Sequence, residues 1–307
     1  MESSRARWKQ GGQPGWVMCC PPCCPPCCPV HCALGFPPLS FEPDSSIRDI
    51  PPRKFRGRPA AIPCPSSRAR GGRRRTSRRI FYAGRLQKAI LPPENLLNKY
   101  FTEAFIYFQP KDIVSGDFYW FSGKNEHFVL AAVDCTGHGV PGALMSMMGN
   151  NFLSSIVETE GKTNPAEILQ EMNKRTKKSL QNKEASVTAN DGMDMALCSI
   201  DFKKQTLYYS GAYRPLVFIR DGQLTEIKAD KHSIGGISDF DTTFTLHELQ
   251  LKKGDTFYIY SDGYADQFGG LKNRKYMAGK LKEFLIEISA GEMNEQQQML
   301  SESHFKW

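Results

Sequence analysis

The 307-residue chain has a formal net charge of +8, but that charge is unevenly distributed. Residues 1–80 contain 15 Lys and Arg against 4 Asp and Glu, a net charge of +11; the remainder holds 25 basic and 28 acidic residues, a net charge of −3. This distribution excludes a polycationic nucleic-acid-binding domain in the rest of the chain. Because no apolar run approaches the roughly 18 to 20 residues of a membrane helix and no apolar signal core opens the chain, we expect a soluble, cytoplasmic protein without membrane partners.

The first segment, residues 1–79, has the composition of a disordered chain. It contains 14 of the 20 prolines, eight of the ten cysteines and the run RARGGRRRTSRR. Such a composition buries too little apolar surface to offset the ordering of its backbone, which predicts disorder. The cysteine array at 19–32, with His31 and Cys32, could bind a thiophilic metal, yet its proline-separated pairs do not resemble a C-x-x-C zinc site. A mis-assigned start or reading frame explains this segment equally well.

Folded elements are predicted from about residue 80 onward. The spacing of Ile80, Leu86 and Ile90 predicts a short helix that a Pro-Pro pair terminates, within a linker of residues 80–97. Three strands are predicted next, in EAFIYFQP, GDFYWF and HFVLAAVD. The two cysteines beyond residue 80 lie in apolar strand-like runs and are predicted to be buried thiols, as in a reducing compartment.

Two central helices follow the third strand. An i, i+4 series predicts that the first helix buries one face, formed by Val140, Leu144, Met148, Phe152 and Ile156. The second helix begins in TNPAEILQEM, with Asn164 as its N-cap, Pro165 at the first helical position and Glu167 completing a capping-box pattern.

The rest of the chain is rich in strands and ends with a helix. Five strand-rich stretches are predicted between residues 193 and 263, one of them with Asp221-Gly222 as a hairpin turn, before an amphipathic helix in 274–289. Strands, two helices, more strands and a final helix indicate an α+β layered sandwich, a single domain over residues 98–307.

Four aspartates in this domain are unlike surface charges. Asp117 lies among aromatic residues, Asp134 ends an apolar strand, Asp194 begins one and Asp262 ends another. A buried ionised carboxylate is costly unless it is paired or bound to a cation, and carboxylates that converge suit a hard divalent ion. Glycines beside these residues allow close approach to such an ion. The pattern therefore points to Mg²⁺ or Mn²⁺.

Each residue also has a structural interpretation. An Asp-Gly pair after a strand is usually a turn, so Asp262 alone is as well explained by structure as by function. For Asp194 we slightly favour hydrogen bonds to backbone amides over a site role. His138 is either a turn residue or a general acid. Lys111 either contacts a phosphate or is a solvated surface residue, and for Lys111 we favour solvation. Because the motifs that contain Asp117 and Asp134 occur together and in order, we favour a shared functional site for these two residues.

Five motifs taken in order resemble one family. PKDIVSGDFYW, VDCTGHGVPGALMSM, DGMDMALCSI, YSGAYRPL and YIYSDGYADQFGG are similar to SpoIIE-type serine/threonine phosphatases, the bacterial branch of the metal-dependent PPM class. The preceding YAGRLQKAILPP resembles the helical linker of that family. The resemblance runs from about residue 80 to the end of the chain.

The resemblance implies a four-layer αββα sandwich with two Mn²⁺ or Mg²⁺ ions and hydrolysis of phosphoserine or phosphothreonine by a metal-activated water. It assigns metal binding to Asp117, Asp134, Asp262 and the backbone carbonyl of Cys135. Further candidates for supporting or substrate-contacting roles are Asp194, Asp191, His138, Gly137 and Lys111. It also implies an anti-sigma-antagonist-like phosphoprotein as the substrate.

The chain departs from the family pattern at both ends. No sensor domain is recognised before the linker, and neither the family's final strand nor its D-D metal motif is recognised after Ile288, which implies a truncated or mis-framed copy. A catalytically impaired relative that binds phosphoproteins or regulates a partner is therefore the alternative function. The run RARGGRRRTSRR alone supports a third hypothesis, nucleic-acid binding, which predicts salt-dependent binding that disappears when residues 1–79 are removed.

Overall fold

The computed structural model describes residues 17–20, 79–124, 126–180 and 191–307. All of these belong to one compact unit formed by residues 1–25 and 78–307, and the other unit, residues 26–77, lies outside the described ranges. The prediction of disorder for residues 1–79 therefore concerns almost entirely residues that are not described, as does most of the cysteine array. Within the described ranges, no helix has both the length and the apolar character needed to cross a bilayer.

The larger of the two main sheets is antiparallel and holds six strands. Its strands are β3 (Phe118–Lys124), β4 (His127–Cys135), β5 (Gly192–Asp201), β6 (Thr206–Ala212), β9 (Ile234–Gly235) and β10 (His247–Gln250). The strand order across the sheet is β10-β6-β5-β4-β3, with the short β9 paired to β5. β4 and β5 are buried on both faces, which accounts for their nearly continuous apolar sequences.

The second main sheet has three antiparallel strands, β7 (Leu216–Arg220), β8 (Gln223–Ile227) and β11 (Thr256–Ile259). Their order across the sheet is β11-β7-β8. The predicted hairpin at Asp221-Gly222 is confirmed: it joins β7 to β8, and both residues have positive φ, 53° and 72°. Two two-stranded sheets complete the strands, β1 (Val17–Cys20) parallel to β2 (Phe105–Phe108), and β12 (Phe268–Gly269) antiparallel to β13 (Arg274–Lys275).

Helices cover the outer faces of both main sheets. Their bounds are α1 (79–90), α2 (Gly139–Ser154), α3 (Pro165–Leu180), α4 (Gly263–Asp266), α5 (Ala278–Ile288) and α6 (Met293–Lys306). A 3₁₀ helix spans Glu94–Lys99, and a π-helical turn, Ser155–Thr159, extends α2. One apolar cluster lies between the sheets, a second joins α2 and α3 to the larger sheet, and a third joins α5 and α6 to the smaller one. These layers confirm the predicted αββα sandwich.

The cap of α3 is also as predicted, because Asn164 Oδ1 accepts a hydrogen bond from the Ala166 amide at 3.0 Å. The end of the chain adds an element that the sequence analysis did not identify. Beyond Ile288, where no strand was recognised, α6 packs on the smaller sheet, and the Tyr264 hydroxyl donates to the Leu300 carbonyl at 3.0 Å.

The predicted buried face of α2 is wrong at its N-terminal end. Val140 is 51% exposed and Leu144 64% exposed, whereas Ile156, beyond the helix in the π-helical turn, is fully buried. The inward face of α2 is instead formed mainly by small residues: Gly142, Ala143, Ser146 and Gly149. A Cβ on Gly149 would lie 3.1 Å from the Phe118 ring, so the helix approaches the sheet more closely than a row of large side chains permits.

Helix α1 is anchored to the domain by the buried side chain of Gln87. Its Nε2 donates to the Ser115 carbonyl at 2.6 Å and to Ser146 Oγ at 2.7 Å, while its Oε1 accepts from the Ser115 amide at 2.9 Å. Ser115 Oγ in turn accepts a hydrogen bond from the Asp117 amide at 3.1 Å. One side chain therefore connects α1 to α2 and to the segment that carries Asp117.

Replacing this amide by an apolar group of similar length should destabilise the domain. We expect Gln87→Met to lower the free energy of unfolding by about 1–3 kcal/mol, because the Ser115 amide and carbonyl lose their buried partner. Urea denaturation measures the change. Lys88→Met on the exposed side of α1 is the matched control and should change stability by less than about 0.5 kcal/mol. Equal effects of the two substitutions would contradict this account.

Candidate functional site

Four aspartates that are distant in sequence meet at one edge of the sandwich. Asp134 lies near the end of β4, directly opposite Asp194 in the register of β4 and β5. Asp262 follows β11 and precedes α4, and Asp117 immediately precedes β3. The register is held beyond the last strand pair by Thr136, whose amide donates to the Gly192 carbonyl at 2.9 Å and whose hydroxyl contacts both the amide and carbonyl of Gly192.

The guanidinium group of Arg214 joins three of these carboxylates. Its Nη2 lies 2.9 Å from Asp134 Oδ2, 3.1 Å from Asp194 Oδ2 and 2.7 Å from Asp262 Oδ2. Only 18% of the Arg214 side chain is exposed. Three carboxylates around one nitrogen atom bring Asp134, Asp194 and Asp262 to a single point.

Asp117 joins the same cluster through Asp134. The two carboxyl groups lie close enough for the charge of Asp117 to act on the pKa of Asp134. Burial raises the pKa of Asp134 first of all; the neighbouring charge of Asp117 raises it further and Arg214 opposes the increase, with a resulting pKa of about 9. Without further positive charge, the four carboxylates cannot all be ionised at neutral pH.

The position of Asp194 corrects our preference for backbone hydrogen bonds. Its Oδ1 accepts a hydrogen bond from the Ser233 hydroxyl at 2.7 Å, and its Oδ2 accepts from Arg214. Burial raises the pKa of Asp194, while the Ser233 and Arg214 hydrogen bonds lower it. Asp194 therefore belongs to the charged cluster, and its two oxygens bind side chains.

Arg214 was not identified from the sequence, although its motif YSGAYRPL was. The residue lies in the turn between β6 and β7, where Tyr213 has a φ of +56°. The Tyr209 hydroxyl donates to the Arg214 carbonyl at 2.6 Å, and the Tyr213 amide donates to the Asp230 carbonyl at 2.9 Å. An arginine that follows an apolar strand is a weak signal by itself, since only the fold brings it to the aspartates.

Glycines allow the backbone to pack tightly beside Asp117. A Cβ on Gly116 would lie 2.7 Å from the Gly137 carbonyl oxygen and 3.0 Å from that of Cys135, and one on Gly142 would overlap the same Gly137 oxygen. These are backbone atoms, which cannot move away as a flexible side chain can. The carbonyl of Cys135, predicted as a ligand, thus lies next to the Asp117 segment.

Four of the predicted residues are exposed: Lys111, Gly137, His138 and Asp191. His138 is at the N-cap position of α2, where its side chain makes no capping hydrogen bond. Both described cysteines are free and buried as predicted, and burial raises the pKa of the Cys135 thiol well above its usual range. That thiol is therefore neutral, and it contributes no charge to the site.

Carboxylate oxygens are the ligand type that a hard cation prefers, although here they surround the guanidinium group of Arg214. Within the described ranges, no group of three or more His, Cys, Asp or Glu side chains has the geometry of a metal site. The Arg214 nitrogen lies where the oxygens of Asp134, Asp194 and Asp262 converge. One guanidinium cannot neutralise four carboxylates, so the residues fit an additional divalent cation bound through oxygen.

Comparisons with known proteins identify relatives of this chain. The family model described as stage II sporulation protein E (SpoIIE) matches residues 124–302, more than half of the chain. Phosphoserine phosphatase RsbU of Bacillus subtilis (strain 168) is 28% identical over 164 residues, which is 51% of this chain and 44% of RsbU. The match thus spans less than half the length of that relative. Asp134, Asp194, Arg214 and Asp262 lie within the family match, and Asp117 precedes it.

Two solved structures show the same fold. The SiaA-PP2C domain of Pseudomonas aeruginosa has a TM-score of 0.68 and 29% identity, with 77% of this chain and 92% of that chain covered. The PP2C phosphatase domain with a fragment of the regulatory domain of SpoIIE from Bacillus subtilis has a TM-score of 0.50 and 20% identity, with coverages of 64% and 55%. At 20% identity the second likeness concerns the fold alone.

The tight packing at Gly116 can be tested by adding one methyl group. Gly116→Ala should cost about 1–3 kcal/mol of stability and displace the Asp117 segment, because the new Cβ meets two backbone oxygens. Thermal unfolding and an NMR or crystal structure of the variant measure the two effects. Gly279→Ala in α5 is the control: its Cβ meets nothing within 4 Å, and it should be neutral or slightly stabilising. A Gly116→Ala protein as stable as the control would contradict the packing described above.

Proposed function

The chain belongs to the SpoIIE family, and we propose that it is a metal-dependent protein phosphatase that hydrolyses phosphoserine or phosphothreonine in bacterial signalling. The observation that carries this proposal is the meeting of Asp117, Asp134 and Asp262 at one point, from three separate segments of the chain. Carboxylates repel one another and do not cluster without a cation, whereas a cation-binding hydrolase needs this arrangement. The similarity to a phosphoserine phosphatase supports the same reaction.

We assign cation binding to Asp117, Asp134, Asp262 and the backbone carbonyl of Cys135, with Mn²⁺ or Mg²⁺ as the ions and two as their number. When bound, such ions lower the pKa of a water molecule and neutralise charge on the phosphoryl group. The protein supplies the oxygen ligands in the ionised state, so any proton that the raised pKa of Asp134 retains has to leave when a cation binds. Arg214 and Ser233 hold Asp194 beside these ligands.

The chain also excludes competing chemistry at the site. Cys135 follows Asp134 directly, but its thiol is buried and its raised pKa keeps it protonated, so it is not the nucleophile. His138 is exposed and makes no capping contact, so the proposal assigns it no proton transfer. The nucleophile in this proposal is therefore water, and no covalent phosphoenzyme forms.

The substrate is proposed from chemistry and from the relative's name. RsbU is named a phosphoserine phosphatase, and we propose a phosphoserine or phosphothreonine protein of the anti-sigma-antagonist type as the partner of this chain. The edge at which the four aspartates meet is partly open to solvent, since the Asp262 side chain is 45% exposed, and it suits a phosphorylated side chain on a protein surface. Residues upstream of α1 have no role in this proposal.

A second candidate function is that of a catalytically impaired relative that binds phosphoproteins. The observation that favours it is the position of Arg214, which neutralises Asp134 and Asp262 without a metal ion. A phosphoserine peptide assay separates the two functions. Phosphate release that requires Mn²⁺ supports the phosphatase, and peptide binding without release, unchanged by a chelator, supports the binding module.

The central carboxylate gives the sharpest test of the proposed reaction. Asp134→Asn should reduce Mn²⁺-dependent phosphate release on the order of 10³-fold or more, because the amide removes a charged ligand from the site. The fold should persist, since the substitution is nearly isosteric and relieves charge repulsion. Steady-state assays with a phosphoserine peptide and circular dichroism measure the two quantities.

Asp241→Asn is the matched control. Asp241 is 87% exposed and its nearest ion-pair partner is Lys174 at 3.9 Å, so its activity should match that of the unaltered protein. If Asp134→Asn retained full Mn²⁺-dependent activity, the assignment of the site would be wrong.

A further inference from the structure

We propose that Arg214 is a built-in counter-ion of the site, which occupies the position of a cation and has to be displaced from Asp134 and Asp262 before divalent ions bind. This inference rests on the proposed metal site and adds a regulatory property to it. Its basis is geometric: one nitrogen atom lies 2.9 Å from an Asp134 oxygen and 2.7 Å from an Asp262 oxygen, the two residues assigned to the metal.

Competition follows from the space and charge at this point. Mg²⁺ binds carboxylate oxygens at about 2.0–2.1 Å, so it needs the same oxygen atoms of Asp134 and Asp262 that the Arg214 nitrogen now contacts. Two positive groups at one position also repel each other, and burial strengthens that repulsion. Divalent binding and the present Arg214 contacts are therefore mutually exclusive.

Asp194 provides the place to which Arg214 withdraws. It contacts the guanidinium at 3.1 Å but is not assigned to the metal, and Ser233 fixes it at 2.7 Å. The segment after Ser233 is held in turn by β9, which pairs with β5, and by the buried side chain of Asn173, which accepts a hydrogen bond from the Gly235 amide at 2.9 Å. Asp194 is thus a fixed anion beside the metal ligands.

Only the side chain of Arg214 is free to make this movement. Its backbone is held by the Tyr209 hydroxyl at 2.6 Å and by its own amide, which donates to the Ala212 carbonyl at 2.7 Å. Rotation of the Arg214 side chain toward Asp194 therefore exchanges contacts within the site and leaves the strands in place. The arginine stabilises the protein without metal, and it sets the concentration of metal required for loading.

The test compares metal affinity and metal-free stability in the full chain. Calorimetric titration with Mn²⁺ should show Arg214→Met binding on the order of tenfold more tightly, if Arg214 occupies the site about nine-tenths of the time. In EDTA the same variant should unfold at a lower temperature, because the carboxylates lose their cation. Addition of Mn²⁺ should then raise its unfolding temperature by more than that of the unaltered protein.

Arg220→Met is the matched control, because Arg220 pairs with the buried Asp255 at 2.6 Å, a carboxylate outside the cluster. It should lower the unfolding temperature in EDTA and leave the affinity for Mn²⁺ unchanged. Arg214→Gln, which keeps neutral hydrogen-bond donors, should also bind Mn²⁺ more tightly, and it replaces Arg214→Met if that variant does not fold.

The outcomes separate this inference from the proposed function. Suppose that the unaltered protein binds Mn²⁺, that Asp134→Asn abolishes this binding, and that both Arg214 variants bind Mn²⁺ equally or more weakly. This result overturns the counter-ion role of Arg214 and leaves the proposed metal site intact. Absence of Mn²⁺ binding by the unaltered protein, or binding that Asp134→Asn leaves intact, overturns both. Tighter Mn²⁺ binding by the Arg214 variants, with unchanged binding by Arg220→Met, supports the inference.

Discussion

Electrostatic repulsion among four buried or half-buried aspartates is the constraint on which the site depends. Burial and the proximity of Asp117 raise the pKa of Asp134, so the cluster requires protons, a guanidinium or metal ions. Arg214 supplies one positive charge, through contacts with three of the carboxylates. The proposed function therefore depends on whether the Arg214 guanidinium or bound divalent ions balance the charge of this cluster.

The surrounding fold keeps the aspartates together against that repulsion. The antiparallel register places Asp134 opposite Asp194, and backbone hydrogen bonds of a sheet do not yield to a single pair of like charges. Close packing of Gly116 on the Gly137 carbonyl brings the Asp117 segment to the same edge. Gln87 extends this support to α1, so the linker helix and the site share one hydrogen-bond network.

Elements that local rules determine were predicted correctly, and features that packing determines were not. The strands, the Asn164 cap, the Asp221-Gly222 hairpin and the layered architecture follow from periodicity and turn chemistry. The inward face of α2 was mispredicted because the helix packs through glycine and alanine, which carry little hydrophobic signal. Asp194 was given backbone partners because it lies at the start of a predicted strand, whereas side chains from two other segments bind it.

By itself, the sequence determined the family, the αββα class and the identity of the aspartates, because motifs and periodicities are local properties of the chain. Only the tertiary structure decided that Asp194 joins Asp134, that Gln87 reaches the Asp117 segment and that Arg214 lies among the carboxylates. These contacts join residues 20 to 80 positions apart, and their energies depend on distance in space and on burial. Spacing along the chain carries no information about either quantity, so the counter-ion of the site could be found only in the folded protein.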